Sequence, residues 1–509
     1  MPRLATSRFA LPGAVLLALV LIFAIAWVTQ PGTSKAAAQG GQRAAVTSIT
    51  RSCPPAAPGS GPARISMLAL PPASSGSASS GSATSNGAAT FTAVLATPAA
   101  ATGGKTSSGK TATGKSSTPA KAPRPVTVTA PGTVATVTAP GGGGAAVAAT
   151  GRMAEGFEAE QADASGTGLV SCTHPGSDMW FVGTGQAAGA AQIWLYLMDT
   201  GTITASADLT ILTDTGQQNG LSSAITVAPN QFVAENVTPY VQGSQAVALH
   251  VQTNAGQVAA AVWEGGANGG AWLPQANAPA KTLVVPGLTV ASSAAKLFVV
   301  VPGSTDAQLR VVAYTPAGAT TQFPGTPVDA SAGAATPIAL SSLGASAAGL
   351  KLTANVPVVA GVLVPGAGIG SFTTAVPPLT EQGVVAGNPS TKGDTVGLLL
   401  TAPGAAAQVS ISVISADGTV MTPAGDQAVT VAAGHTRAVT VPRPVDGSRQ
   451  PFAVVVTPQH GSGPLYAVRV VTSGTGGLSA PLSSLLPVTS AMTSITLPPA
   501  QNSYTAVLP

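Results

Sequence analysis

The chain has 509 residues, of which 45% are hydrophobic, 4% aromatic and only 7% charged. Soluble domains ordinarily carry about 25% charged residues, and glycine and proline number 60 and 43 here, so the composition weighs against a coiled coil, a helix-rich cytosolic enzyme and a polytopic membrane protein. The net charge of +4 hides a division: twelve Lys/Arg and no acid up to Arg152, then nine Lys/Arg against 17 acids.

Arg3 and Arg8 precede an uncharged run from Phe9 to Val28. Twenty residues at 1.5 Å rise match a bilayer core of about 30 Å. Residues 9–30 are therefore predicted as a transmembrane helix or signal anchor, stopped by Pro31-Gly32. Residues 1–8 form its cytoplasmic tip, because arginines stay on the inner side. The alternative is secretion after cleavage of a signal peptide near Ala38. Either way the bulk is expected outside the cell membrane. Such a compartment permits a disulfide between Cys53 and Cys172, the only cysteines. Two cysteines without C-x-x-C spacing fall short of a zinc ligand set.

Residues 31–150 are predicted as a basic linker rich in Gly, Ser, Thr and Pro, a composition too poor in apolar surface to offset backbone entropy. Lys105, Lys110, Lys115 and Lys121 recur in it without aromatics between them. That pattern suits either a solubilising linker with incidental lysines or a tether held against anionic wall polymer or lipid headgroups, and does not suit nucleic acid. ARISMLAL (63–70), TFTAVLA (90–96) and VTVTA (126–130) have strand character. They are expected as edge strands added to the first folded unit.

One pattern then occurs three times, at 195–216, 297–318 and 398–418. Each copy is an apolar strand, a turn, an alternating strand and a closing glycine: Gly216, Gly318 and Gly418. In the third, Val409, Ile411 and Val413 are expected inward, and Gln408, Ser410 and Ser412 outward, a period of two. Downstream of each lies a strand, polar turn and strand, at 248–263, 349–364 and 451–471, read as a hairpin. The fold class is therefore all-β: three tandem immunoglobulin- or fibronectin-like sandwiches of about 100 residues, over 151–280, 281–385 and 386–509. A β-propeller is the alternative, and would need two blades per copy. The tail pieces SAMTSITLP and SYTAVLP are expected to complete the first or last sandwich.

Cys172-Thr173-His174-Pro175 and Trp180-Phe181-Val182-Gly183, followed by the strand repeats, resemble an actinobacterial family of exported envelope proteins catalogued as a domain of unknown function. The second and third copies lack the W-[FY] opening. The resemblance implies an N-terminal anchor, an extracytoplasmic location and tandem β-sandwiches. It implies no catalytic residues.

Glu155, Glu158, Glu160 and Asp163 cluster before the first confident strand and are read as a solvated acidic turn. Carboxylates flanking a glycosidic bond are the rival reading. His174, His250, His435 and His460 show no metal spacing. His250 is expected to face outward on a strand; His435 and His460 sit in turns. No G-x-S-x-G elbow or P-loop occurs. Asp199, Asp214 and Asp417 suit turn geometry better than a calcium loop. No catalytic, cofactor or metal residues are assigned. Trp180, Trp194, Trp263 and Trp272 are candidate ligand-contact aromatics, against the reading as core.

The expected function is non-enzymatic: a membrane-anchored envelope protein that binds or scaffolds at the cell wall. Its partners would be the inner membrane, through residues 9–30, and an anionic wall polymer or glycan. An accessory role in envelope-glycan assembly is the alternative, and a hydrolase using His174 and Asp178 is the third reading.

Overall fold

The computed structural model describes residues 42–71, 87–96, 126–139, 142–164, 168–218, 224–266, 269–289, 295–340, 347–366, 368–423, 425–444 and 449–497. The expected anchor and the SYTAVLP tail lie outside them. Among the described residues all regular structure is strand, apart from short 3-10 turns, and no helix is long and apolar enough to cross a membrane. Two compact units divide the chain, one spanning 45–494. In the other, Gln42–Ala45 and Ser494–Leu497 pair as a ribbon.

Within 45–494 one pairing scheme recurs. Following Cys172, a leading sheet orders Asp178–Thr184, Ala246–Ala255, Ala205–Thr213 and Gly216–Gln218; a trailing sheet orders Gln231–Asn236, Gln192–Asp199, Ala259–Gly266 and Gly269–Leu273. The next leading sheet orders Ala280–Thr289, the first half of Ala347–Val364, Ala307–Thr315 and Gly318–Gln322. Its trailing partner orders Ala334–Ala339, Lys296–Val301, the second half of Ala347–Val364 and Ser371–Thr374. The last pair orders Gly383–Asn388, Phe452–Pro458, Ala407–Ile414 and Val420–Met421 against His435–Val441, Asp394–Ala402, Tyr466–Ser473 and Leu482–Val488.

The stretch read as a linker follows the same scheme. Ser48–Cys53, Gly144–Thr150, Ala89–Ala96 and Val126–Val128 form a leading sheet. Ala135–Thr138, Arg64–Leu68, Glu158–Ala162 and Leu169–Ser171 form its trailing sheet. Its strands are thus not edges of another sandwich. They enclose a core of their own, with Ile65, Met67, Phe91, Val147 and Phe157. The bond Cys53–Cys172 lies inside this first pair. Low-complexity segments split this pair, so its period does not show in the sequence. The other pairs join their third and fourth leading strands by tight turns, closed at Thr213–Gly216 and Thr315–Gly318. There Gly216 and Gly318 hold φ of +104° and +115°, which glycine adopts most readily. In the first pair the corresponding strands, Ala89–Ala96 and Val126–Val128, are separated in sequence by residues 97–125, which include the four spaced lysines.

The expected hairpins are also corrected. Ala246–Ala255 and Ala259–Gly266 do not pair; one joins the leading and the other the trailing sheet. Ala347–Val364 makes the same crossing as one bent strand. Strand, polar turn and strand look alike in sequence whether the chain folds back in one sheet or passes between two.

Every leading sheet packs on its own trailing sheet and, through its other face, on the next. Val94 and Ala146 of the first leading sheet meet Tyr196, Met198 and Trp263 of the second trailing sheet. Trp180 and Val182 meet Phe298 and Val300. Third and fourth pairs close around Val468 and Leu399, where a Cβ on Gly287 would stand 2.7 Å from Val468. The fourth leading sheet returns to the first trailing sheet through Val384, Ile414 and Val455 against Leu68 and Leu70. Eight strand arrays therefore form a closed ring, two per pair; those of the third pair share the bent strand Ala347–Val364, and Ala89–Ala96 pairs in parallel with Gln231–Asn236 across the first seam. Sandwich and propeller-like arrangement coexist. Sheets covered on both faces need continuous apolar strands: Lys296–Val301 is buried from Leu297 to Val301. This geometry accounts for the low charge content. Val409, Ile411 and Val413 are buried as expected, while Gln408 is exposed and Ser410 and Ser412 half-buried.

Candidate functional site

The last strands of the four trailing sheets, Leu169–Ser171, Gly269–Leu273, Ser371–Thr374 and Leu482–Val488, neighbour one another in a cycle at the centre of the ring. A cavity of about 320 Å³ opens there. All four pairs contribute to its wall: Glu158 and His174 from the first, Trp272 from the second, Ala375 to Pro377 beyond the third, and Leu485 from the fourth. A smaller cavity of about 160 Å³ adjoins it, lined by Asp163, Gly270, Ser371 and Ser484. Leu169, Trp272 and Leu485 line both.

The charges around the larger cavity are paired. Arg51 donates through Nη2 to Glu158 Oε1 and through Nε to the Phe157 carbonyl at 3.2 Å. Burial pushes the Glu158 carboxyl up to about 7, against the pull of Arg51 and aided by Glu160. Burial, and then Arg51, hold His174 below the ordinary imidazole value. Apolar side chains such as Val170, Val376, Leu486 and Met492 make up most of the remaining wall, with Thr173, Gln275, Asn277 and Ser490 as neutral polar groups among them. Of the two carboxylates in the wall, Glu158 faces its one guanidinium, Arg51.

Glu160 serves the ring as well as the wall. Its Oε1 lies 2.8 Å from Nη1 of Arg469, on the fourth trailing sheet. Its Oε2 accepts from the Gly387 N–H at 2.9 Å. The register between Gly383–Asn388 and Phe452–Pro458 shifts between Val385 and Asn388. This bulge frees that N–H from the ladder, and Asn388 Nδ2 secures it by donating to the Val385 and Phe452 carbonyls. The Glu160 and Arg469 side chains are 3% and 0% exposed; burial lowers the Arg469 pKa while Glu160 opposes it.

The acidic cluster is therefore not a solvated turn. Glu158 and Glu160 stand on a strand, each neutralised by an arginine distant in sequence. Of the four candidate tryptophans, only Trp272 lines the cavity. Trp180 and Trp263 are buried in seams between pairs, and Trp194 is half-buried, donating to Gln192 Oε1 at 3.4 Å. His174 and Asp178 are not brought together as a dyad. Asp178 Oδ1 instead accepts from His250 Nε2 at 2.9 Å. The His250 ring stacks on Trp180 at 3.8 Å, only part-exposed. His435 opens a strand, its Nδ1 2.8 Å from the Ala433 carbonyl; His460 lies in an exposed turn. Asp199 accepts from Gly201 and Ala205 N–H groups at 2.7 and 3.1 Å, the work of a turn acid. The sequence reading missed Arg51, Gln275, Asn277 and Arg469. Arg469 had a signal: a lone arginine among valines in YAVRVV demands a buried partner.

A model for a family of unknown function, DUF5719, matches residues 126–442. The span opens at Val126–Val128 and ends just past His435–Val441, inside the first and fourth pairs. Among curated proteins none matches. The solved alpha-L-rhamnosidase of Streptomyces avermitilis complexed with L-rhamnose is 12% identical over 62% of this chain and 49% of that one, at a TM-score of 0.10. The chain thus spans about half of that protein, and the likeness carries no argument.

Proposed function

The chain belongs to the DUF5719 family of unknown function, and for this member we propose a non-enzymatic binding role at the cell envelope. In this reading residues 9–30 anchor the chain in the inner membrane, and the spaced lysines of 97–125 face anionic polymer or lipid. The ring presents its axial cavity to a wall component. One observation carries the binding role: a cavity at the hub whose wall comes from all four sheet pairs, so that it exists only in the closed ring. Its volume sits at the lower end of the range for small-ligand sites, and its mixed wall suits a polar ligand with apolar faces. Glu158 faces Arg51, and Glu160 is committed to Arg469 and Gly387, an arrangement unlike the acid and nucleophile of a glycosidase.

The test is fractionation of cells carrying the full chain, followed by sedimentation with insoluble cell wall. Full-length protein in the membrane fraction that also sediments with wall supports the reading. A shortened species free in the medium removes the anchor, and failure to sediment removes the binding role.

A further inference from the structure

We propose that the axis holds a neutral linear oligosaccharide, which runs from the larger cavity past Trp272 into the smaller one. The inference deepens the wall-binding reading and rests on it.

Three observations point to this ligand class. First, the charged groups at the larger cavity already face one another: Arg51 donates to Glu158 and to the Phe157 carbonyl, and Glu160 lies against Arg469. A charged ligand would have to break one of these buried pairs, and such breakage is costly. A hydroxyl-bearing ligand needs only neutral partners, which Gln275, Asn277 and Ser490 provide. Second, Trp272 belongs to both cavities. A planar aromatic beside polar groups suits the apolar faces of a sugar ring while the hydroxyls find hydrogen bonds. Tyr196 supports that indole, with ring centroids 5.8 Å apart. Third, Leu169, Trp272 and Leu485 stand in the walls of both cavities, and the smaller is polar, with Asp163, Ser371 and Ser484 at its wall. Gly270 adds no side chain to that wall. A compact ligand would use one cavity; an extended one uses both. An apolar chain would leave the hydroxyls of the smaller cavity unpaired, which disfavours lipid.

The expected signature is dependence on chain length. The full chain is titrated against arrayed neutral linear oligosaccharides of two to six sugars, with hexuronate oligomers beside them. The affinity of the best tetra- to hexasaccharide should exceed that of its own disaccharide at least tenfold, and uronates should bind more weakly than their neutral counterparts. Trp272→Ala should abolish the tenfold gain, and Trp194→Ala should keep it. The wild-type length series stands by itself should Trp272→Ala fold poorly. Equal affinity for di- and hexasaccharides, preference for uronates, or no binding across the array would each overturn the proposal. Protein that sediments with wall yet shows any of these results overturns this inference alone. Protein that does not sediment overturns the wall-binding reading as well.

Discussion

Glu160→Gln isolates the charge that joins the ends of the ring. Glutamine keeps an acceptor for the Gly387 N–H, which now donates to Glu160 Oε2 at 2.9 Å, so the substitution removes little but the negative charge. What remains is the Arg469 guanidinium with 0% of its side chain exposed. Breaking a buried pair by removing one partner costs about 3–5 kcal/mol, chiefly through the charge left behind. Replacing both partners with apolar residues of similar size is neutral or stabilising by about 1–4 kcal/mol. Glu160→Gln should therefore lower the urea midpoint markedly, and Glu160→Leu with Arg469→Met should restore most of the loss. Limited proteolysis should show new cuts in the single variant at the seam between Gly383–Asn388 and Glu158–Ala162. A single variant within about 1 kcal/mol of the parent, or a double variant as unstable as the single, would refute the argument that an uncompensated charge governs this joint.

Other outcomes follow from the same geometry. Burial raises Glu158 to about 7 and Glu264 to about 8 from 4.5, so the folded chain retains protons that the unfolded chain has released. The contribution of these groups is best below about pH 4.5 and deteriorates as pH rises towards 7 and 8, by roughly 3 kcal/mol for Glu158 at 1.36 kcal/mol per unit. Unfolding midpoints should fall over that window, and Glu264→Gln, which keeps an acceptor for the Thr184 hydroxyl, should flatten the fall; an unchanged slope would contradict the assignment. Loss of the Cys53–Cys172 bond opens a loop with a sequence separation of 119, so Cys53→Ser with Cys172→Ser should cost about 5 kcal/mol by the chain-entropy treatment, read by denaturation with and without reductant. Gly287→Ala meets Val468 at a backbone φ of +102° and should destabilise by about 1–3 kcal/mol, whereas Gly303→Ala, with open space around it, should stay near neutral in the same assay.

The period-two alternation of Val409, Ile411 and Val413, the turn glycines and the scarcity of charge determine an all-β chain, because these are local properties that any sheet environment demands. Three of the four pairs were visible as a repeat of about 100 residues. The first was hidden because low-complexity segments separate its strands, and no local signal says which strands pair across such a gap. Sheet membership likewise escaped: the run at 349–364 reads the same as a hairpin and as a strand crossing between sheets. The cysteine bridge was suggested by residue count and compartment alone. Tertiary structure decided that the sheets close into a ring, that Arg51 meets Glu158 and Arg469 meets Glu160, and that only Trp272 of four candidates reaches the axis. Each of these depends on contacts between residues far apart in the chain, where burial and charge neutralisation are properties of the closed ring and of no single segment.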